Sequence, residues 1–334
     1  MPRAKKTKPA TGEVQESVWS PYVHGLSVTG LQTWLNDRFV AGARYLDNLQ
    51  PIEKFEPKFV YGSYFQSCFE GYVNSGHQLR GAHAWLDRAV RKDKKLFGPQ
   101  KHKDIGWWSS LALEHFYLFV EQYKNDRDLP LSEVTESERN LRVEITLPSD
   151  RKLILNTYLD GEGGDALMYE GKCRSKIDRE AIAKEIRWDL QYNVYLLAKY
   201  SSSGKLPERV WYQTNLRPCG FGYRGPSKRK NESMTEFQQR ILDDMKTDPD
   251  KYLYRFIGRP ALSELERFCH GCLYPMLEAF LDWYDYKVNP EGKVNRWDWV
   301  TPYGLFNPLL QDMKEDYRNY RLTGYPAGLV KRKR

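Results

Sequence analysis

Two carboxylates and a lysine lie close together near the middle of the sequence. Glu170 and Lys172 are two residues apart in a stretch with the pattern of a β-strand, so both side chains lie on one face, together with Met168. Asp160 ends the preceding predicted strand, and pairing of the two strands would bring its carboxylate near Glu170. Two hard oxygen donors beside a cation predict a site for a divalent ion such as Mg²⁺.

Such a site would act on a phosphodiester bond. A bound Mg²⁺ ion keeps several waters, accepts phosphate oxygens as ligands and lowers the pKa of a bound water. Lys172, next to that water, would orient it and stabilise the negative charge that develops. Taken alone, a Glu and a Lys at this spacing are more typical of a solvated strand face. Glu162 and Asp165 lie between the two predicted ligands and remain alternatives to Asp160 as the first metal ligand.

A predicted helix downstream adds polar side chains to this group. Gln191 and Tyr195 are four residues apart and share one helix face, beside the apolar positions that mark a buried stripe. Lys184 lies one heptad before Gln191, on the same stripe of a long helix predicted to start near Asp178. This face is predicted either to hold a polar network against the site or to contact a DNA backbone.

Strands and helices on both sides of these residues must position them. Leu141–Leu147, Lys152–Asp160 and Ala166–Cys173 predict an antiparallel meander, because turn residues separate three runs of strand pattern. A fourth strand is predicted over Val210–Leu216. Apolar residues at helical spacing predict further helices over Ser27–Tyr45, Ser63–Val73, Leu79–Lys92, Ser109–Tyr123 and Thr235–Lys246.

The last predicted helix completes the order of elements. A capping box of Ser263 and Glu266 predicts that it begins there and runs towards Lys287, with a kink at Pro275. The chain therefore runs helices, strands, helix, strand, helices. This order favours an α/β fold, a mixed sheet layered with helices, over a bundle or a sandwich.

The composition predicts one folded unit with basic ends. Of 334 residues, 40% are apolar and 14% aromatic, which argues against disorder. No internal repeat or low-complexity linker divides the chain, so we expect a single domain over residues 21–325, with its core at about 60–215 and a helical part at about 235–320. Most of the net charge of +8 lies in two predicted tails, residues 1–20 and 326–334, which either bind phosphates or are solvated.

The sequence also predicts a cellular compartment. No apolar segment approaches the length of a membrane span, and no apolar stretch follows the basic N-terminus. Five cysteines in a chain of this length do not resemble a disulfide framework and favour a reducing environment. We therefore expect a protein of the cytoplasm with no membrane partner.

The order of these motifs resembles the PD-(D/E)XK nuclease superfamily, in particular its RecB-like and phage-type exonuclease branch. Members of that family have an Asp at a strand end, a Glu-x-Lys strand and a Gln-x-x-x-Tyr helix. An upstream helix of the family is similar to residues 61–70, which read Tyr-Gly-Ser-Tyr-Phe-Gln-Ser-Cys-Phe-Glu. The resemblance covers about residues 25–260, and the residues that match the first three motifs are Asp160, Glu170, Lys172, Gln191 and Tyr195.

This resemblance implies a fold and an activity. The fold would be a restriction-endonuclease-like core, a mixed central sheet flanked by helices, with helical N- and C-terminal additions. The activity would be hydrolysis of DNA with Mg²⁺ or Mn²⁺, by an exonuclease of phage or bacterial recombination and repair that works with a recombination or helicase partner. A catalytically inactive DNA-binding or assembly protein on the same fold is the alternative.

The resemblance also implies roles for single residues of the central strands. Asp160 and Glu170 would bind the metal with help from the Gly171 carbonyl. Lys172 would position the attacking water.

Helix residues would complete the site by the same resemblance. Gln191 and Tyr195 would support the site and the nucleic acid. Gln66 stands where the family commonly has a metal-binding His, and its amide oxygen is a weaker donor, which shifts part of that role to Glu70.

Relatives in this family often carry a four-cysteine iron–sulfur site, for which the spacing here is unsuitable. Cys68 lies upstream, as in those relatives, but Cys219 is far from Cys269 in the sequence. Cys269 and Cys272 are three residues apart within a predicted apolar helix, where buried thiols are common. We therefore expect no iron–sulfur cluster.

A basic and aromatic segment over residues 217–230 is a second candidate for nucleic-acid binding. Arg224 and Lys228 lie there among aromatic side chains, as in a loop that binds single strands. A plain solvated loop is the alternative.

Overall fold

A mixed five-stranded sheet lies at the centre of the fold. The computed structural model describes residues 19–46, 48–51, 54–218, 231–288 and 329–331. The sheet has the order β2-β3-β4-β5-β6, in which β4 and β5 are parallel and the other neighbours are antiparallel. The short strands β1 and β7 pair separately. The strands of the described residues are β1 (Leu49–Pro51), β2 (Glu136–Thr146), β3 (Lys152–Gly163), β4 (Leu167–Arg174), β5 (Arg209–Leu216), β6 (Leu253–Gly258) and β7 (Leu329–Lys331).

Helices cover both faces of this sheet, as expected for an α/β fold. Those of the described residues are α1 (Val28–Asn36), α2 (Arg38–Ala41), α3 (Pro57–Asn74), α4 (Leu79–Phe97), α5 (His102–Tyr123), α6 (Arg179–Glu185), α7 (Leu190–Ser203), α8 (Met234–Thr247), α9 (Pro249–Tyr252), α10 (Leu262–Phe268) and α11 (Tyr274–Val288). None of them is long and apolar enough to cross a lipid bilayer. The predicted α/β class and the antiparallel meander of β2, β3 and β4 are confirmed.

Two apolar cores lie on opposite faces of the sheet. Strand β4 shows the division, because Met168 packs into one core whereas its neighbours Leu167 and Tyr169 pack into the other. The Met168 core is closed by α1, α7, α10 and α11. The Tyr169 core is closed by α3, α4, α5 and α8 and is rich in aromatic contacts, among them the stacked rings of Phe69 and Tyr169.

Glycine allows α3 and α4 to touch directly. A Cβ atom on Gly71 would lie 2.3 Å from the carbonyl oxygen of Gly81, and a Cβ atom on Gly81 would lie 2.2 Å from that of Gly71. Any side chain at either position would force the helices apart. This close crossing fixes α3, the helix that carries Gln66 and Glu70.

Two helices that the periodicity predicts as continuous are interrupted by capping aspartates. The helix predicted over Ser27–Tyr45 breaks at Asp37, whose carboxylate accepts a hydrogen bond from the Val40 amide at 3.2 Å. The helix predicted from Asp178 ends at Glu185, and Asp189 caps the start of α7. The predicted placement of Lys184 on the Gln191 stripe is therefore wrong, because Lys184 belongs to the separate helix α6.

The capping box predicted for the last helix is also wrong, although the helix begins within one residue of the predicted place. Ser263 lies inside α10, which begins without a side-chain cap, and a π-helical turn over Cys269–Leu273 separates α10 from α11. Pro275 follows this π-helical turn as the second residue of α11, so the helical backbone continues to Val288 as predicted and the irregularity near Pro275 takes the form of a π-helical turn. A capping box is present at a different helix, α8, where Ser233 and Glu236 form it.

Several other boundaries differ from the prediction. Helix α3 begins at Pro57 and α5 at His102, both earlier than the apolar spacing indicates. Strand β2 begins at Glu136, β3 continues through Gly163, and β6 was not predicted at all. Residues 1–18 and most of the two predicted basic segments, including Arg224 and Lys228, lie outside the described residues.

Arg151 ties the β2–β3 turn to α11. Its Nε donates to Glu278 Oε2 at 2.9 Å, its Nη2 contacts the same carboxylate, and its Nη1 donates to Asp282 Oδ1 at 2.8 Å. The several N–H donors of one guanidinium can bond to two carboxylates at once, whereas the single ammonium of a lysine cannot reproduce this geometry.

We predict that Arg151→Ala lowers the free energy of unfolding by about 1–3 kcal/mol, the usual value of charge-assisted hydrogen bonds. The neighbouring Lys152, which makes an exposed ion pair with Glu144, gives the matched control Lys152→Ala. Chemical denaturation measured by circular dichroism compares them. Equal midpoints for the two variants would contradict this role for Arg151.

Candidate active site

The candidate site lies where β3 and β4 separate. These strands pair only from Gly163↔Leu167 to Gly161↔Tyr169, and the next position of that register places Asp160 opposite Glu170. The Gly171 amide donates to Asp160 Oδ2 at 2.8 Å. The two acids therefore stand side by side at the start of the gap between the strands.

A cleft of about 290 Å³ opens at this gap. Its walls come from α3 on one side of the sheet and from α7 on the other, because the separated strands leave a passage between the faces. The residues that line it are Gly62, Ser63, Phe65, Gln66, Asp160, Tyr169, Gly171, Lys172, Cys173, Gln191 and Asn215. Five of the predicted site residues, Gln66, Asp160, Gly171, Lys172 and Gln191, thus line one cleft.

Glu170 is fully buried beside this cleft. Its Oε1 atom forms an ion pair with Lys172, and its Oε2 atom has no hydrogen-bond partner among the described residues. Burial, reinforced by the nearby Asp160 carboxylate, raises the pKa of Glu170 to about 8. An unpartnered carboxylate oxygen in such a place is costly unless a cation or a proton compensates it.

Lys172 is held by a short hydrogen-bonded chain. Its Nζ donates to Gln191 Oε1 at 2.5 Å, and Gln191 Nε2 donates to Tyr195 Oη at 2.8 Å. Burial lowers the pKa of Lys172, but the carboxylates of Glu170 and Asp160 outweigh it and hold the pKa above its usual value. Lys172 is therefore a charged ammonium in a fixed position.

Asp160 is the more accessible of the two acids. Burial raises its pKa to about 6, and Glu138 adds to this rise, whereas Lys172 and the Gly171 amide favour the charged form. At neutral pH it is largely ionised, so it can act as a metal ligand. The role of the Gly171 carbonyl as a further ligand stays a prediction.

Glu138 belongs to this site and was missed by the sequence prediction. The register of β2 and β3 places it opposite Asp160, and its backbone has a φ of 55°, a left-handed conformation that is unusual for Glu. Its Oε1 accepts a hydrogen bond from Gln66 Nε2 at 3.3 Å. Counting the register back from the Pro148–Asp150 turn would have found it.

Glu70, on α3, lies beside Glu138 of β2. Burial and the neighbouring carboxylates of Glu138 and Asp160 raise the pKa of Glu70 to about 8. Gln66, on the same helix, contacts the acidic side of the cleft through its amide nitrogen. With a pKa of about 8, Glu70 is largely protonated at neutral pH as long as no cation is bound.

The two alternative acids of the sequence analysis lie elsewhere. The Glu162 carboxylate is occupied by Lys199, whose Nζ lies 2.9 Å from Oε2, and by Arg139. Asp165 is exposed in the β3–β4 turn. Asp160 is thus the acid that stands next to Glu170.

Lys184, which was predicted to contact DNA, does not line the cleft. Lys184 is exposed on α6, with its Nζ 4.0 Å from Glu180. It lines a separate open depression together with Glu185, Trp188 and Asp189. Trp188 is 65% exposed, the most exposed large apolar side chain of the described residues.

The donor set fits a hard divalent cation. Asp160 and Glu170 offer carboxylate oxygens, one of them buried and unpartnered. Asp160 raises the pKa of Glu170, and Glu138 raises that of Asp160, as expected for like charges that a cation would neutralise. In the ranges that the structure describes, no three His, Cys, Asp or Glu side chains form a ready-made metal cage. Two carboxylates that leave positions for water and phosphate suit Mg²⁺.

The cysteines considered for a cluster do not all lie together in the described residues. Cys68 packs in the core that contains Tyr169, whereas Cys269 packs in the core on the other face of the sheet and Cys272 lies against it. Cys219 lies outside the described residues.

No family model matches the chain, and no curated protein matches it significantly.

We predict that the acidic cluster makes the metal-free protein less stable as the pH rises. Glu70 has a pKa of about 8 in the folded protein against an ordinary value of 4.5, so its contribution is present below about pH 4.5 and is lost as the pH rises through 8. Thermal unfolding in EDTA at pH 5 to 8 should show a falling midpoint for the wild type and a smaller fall for Glu70→Gln.

The exposed Glu144 on β2 gives the control Glu144→Gln, which should follow the wild type. A Glu70→Gln profile parallel to that of the wild type would show that Glu70 is not strained in this way.

Proposed function

We propose that this protein is a metal-dependent nuclease that hydrolyses phosphodiester bonds of DNA. The observation that carries the proposal is the ammonium of Lys172, fixed between Glu170 and Gln191 and lying beside the Asp160 carboxylate. This arrangement combines a cation-binding pair of acids with a positive charge for the reacting phosphate. The order of motifs that resembles the PD-(D/E)XK superfamily supports a restriction-endonuclease-like core.

Each residue of the site has a part in this proposal. Asp160 and Glu170 would hold the Mg²⁺ or Mn²⁺ ion. The ion would neutralise charge on the phosphate and lower the pKa of a bound water. The Lys172 ammonium would orient the attacking water and stabilise the developing negative charge. Gln191 and Tyr195 hold that ammonium in place through the hydrogen-bonded chain.

The acidic side of the cleft has a second part. Glu138 lies next to Asp160 and adds negative charge that attracts a cation to the cleft, and Glu70 would add to this charge when it loses its proton. Gln66 orients Glu138 through its amide hydrogen bond, and the Gly171 carbonyl is a further ligand by the family resemblance.

The biological setting follows from the same resemblance. We infer an exonuclease of phage or bacterial recombination and repair that acts in the cytoplasm and works with a recombination or helicase protein.

An inactive DNA-binding or assembly protein is the second candidate function. The observation that favours it is Gln66, which stands in the usual place of a metal-binding His and uses its amide nitrogen on Glu138. Such a protein would bind DNA but would not depend on Glu170 or Lys172 for its activity.

We predict that the wild type cleaves labelled DNA with Mg²⁺ or Mn²⁺ and not in EDTA. Glu170→Gln and Lys172→Met should each reduce the cleavage rate by about 100-fold or more, because the first removes a charged ligand of the metal ion and the second removes the positive charge beside the reacting phosphate. Linear and circular substrates, single- and double-stranded, distinguish an exonuclease from an endonuclease.

The controls Glu144→Gln and Lys152→Met change an exposed pair on β2 and β3 and should keep full activity. Salt-sensitive DNA binding without cleavage under every ion condition would favour the inactive DNA-binding protein.

The open depression lined by Lys184 and Trp188 supports a path for the nucleic acid. Trp188 precedes Gln191 by three residues, so this exposed ring stands beside the helix end that reaches the cleft. An exposed indole next to a lysine is suited to stack on a base while the ammonium meets a phosphate.

We predict that Trp188→Ala weakens the binding of single-stranded DNA by about 1–3 kcal/mol, the usual value for one stacked base. Fluorescence anisotropy in EDTA measures binding without cleavage. Trp188→Phe should retain most of the affinity, and Leu96→Ala, an exposed apolar residue of α4, should leave it unchanged. An unchanged affinity in Trp188→Ala would show that the nucleic acid does not contact this depression.

A further inference from the structure

A second charged group is buried beneath the turn that joins β3 and β4. Lys199 of α7 is 3% exposed and Glu162 of β3 is 2% exposed. Lys199 Nζ lies 2.9 Å from Glu162 Oε2 and donates to the carbonyl oxygen of Gly164 at 2.7 Å. The other oxygen of the Glu162 carboxylate contacts Arg139 on β2. The ammonium is thus bound both to a strand and to the turn that follows it.

Stability alone does not explain this buried ion pair. Transfer of two charges out of water is costly, and apolar side chains of similar volume often stabilise a protein as well or better. The best attested use of such pairs is to fix one register of packed elements, because a charge has few places where it is satisfied.

The position of Lys199 on its helix gives the pair a specific consequence. Gln191, Tyr195 and Lys199 are spaced by four residues along α7, so they follow one side of the helix. At a rise of 1.5 Å per residue, about 12 Å separates the levels of Gln191 and Lys199. Gln191 contacts Lys172 of β4, and Lys199 contacts the opposite end of the same β3–β4 hairpin.

Helix α7 is therefore bound to the hairpin at two levels. The buried residues between them that pack into the core are apolar or aromatic, including Val194, Leu197 and Ala198. The polar Asn193 instead donates to the backbone carbonyls of Arg187 and Asp189 near the start of the helix. Apolar packing tolerates small shifts of a helix along its axis, whereas the ion pair at Lys199 does not. A shift of α7 would move Gln191 away from Lys172.

We propose that Lys199 is a positioning residue that sets the axial position of α7, so that Gln191 holds the Lys172 ammonium at the cleft. Its importance for catalysis rests on the nuclease function proposed above, whereas its effect on Lys172 does not. Lys199 acts through Gln191 and does not itself reach the acids of the site.

The test compares Lys199→Met with the wild type in the full chain. Methionine retains the length and the apolar stem of lysine, and Arg139 still pairs with Glu162, so the variant leaves no unpaired buried carboxylate. The first readout is the rate at which an amine-reactive acetylating reagent modifies Lys172, followed by mass spectrometry of its peptide at constant pH. Gln191→Leu, which removes the acceptor directly, is the positive control, and Lys205→Met, an exposed lysine beyond α7, is the negative control.

We expect Lys172 to be modified severalfold faster in Lys199→Met and in Gln191→Leu, with no change in Lys205→Met. Cleavage assays should show kcat lowered by about 10- to 100-fold in Lys199→Met with little change in KM, as for a misplaced catalytic group. Unchanged modification of Lys172 in a folded Lys199→Met protein would overturn the proposal.

Glu162→Gln provides a second test if Lys199→Met does not fold, because it keeps the length of the side chain and weakens the ion pairs of Glu162 with Lys199 and Arg139. It should raise the modification rate of Lys172 in the same direction, and an unchanged rate would overturn the proposal. A faster modification rate with no nuclease activity in the wild type would support the positioning role and reject the proposed function.

Discussion

The structure around the cleft depends on the burial of one carboxylate, that of Glu170. A buried acid must be neutralised by a proton or compensated by a cation, and Lys172 compensates only one of its two oxygens. The neighbouring Asp160 makes this problem larger, since its like charge raises the pKa of Glu170 further. A divalent ion between the two acids would remove both costs at once, which is why we regard this arrangement as a site prepared for a cation.

The separation of β3 from β4 is the feature that makes the arrangement accessible. A continuous sheet would keep its two faces apart, but here Gln66 of α3 and Gln191 of α7 line the same cleft from opposite faces. The close crossing of α3 and α4 at Gly71 and Gly81 fixes one wall. The opposite wall is fixed by α7, whose polar residues contact the β3–β4 hairpin. The site is thus assembled from rigid elements, which suits chemistry that needs fixed positions.

The sequence was informative about features that depend on neighbours along the chain. Strand alternation and the hairpin bring Asp160, Glu170 and Lys172 together, and both follow from local spacing. Glu138 was missed because β2 was predicted to begin at Leu141, after it, so its pairing with Asp160 of β3 was not considered. The break before α7 was missed because the apolar spacing continues through Asp189, which acts as a cap and not as an interior residue. Residues that sit at interruptions of a regular pattern were therefore the hardest to predict.

Anomalous diffraction from crystals soaked in Mn²⁺ would test the central claim most directly. Our account predicts one strong peak at about 2.0–2.2 Å from carboxylate oxygens of Asp160 and Glu170, with Lys172 still bonded to Gln191. The peak should be absent from crystals of Glu170→Gln. A cleft without manganese at millimolar concentration, or a peak that persists in Glu170→Gln, would contradict the claim that these two acids form a cation site.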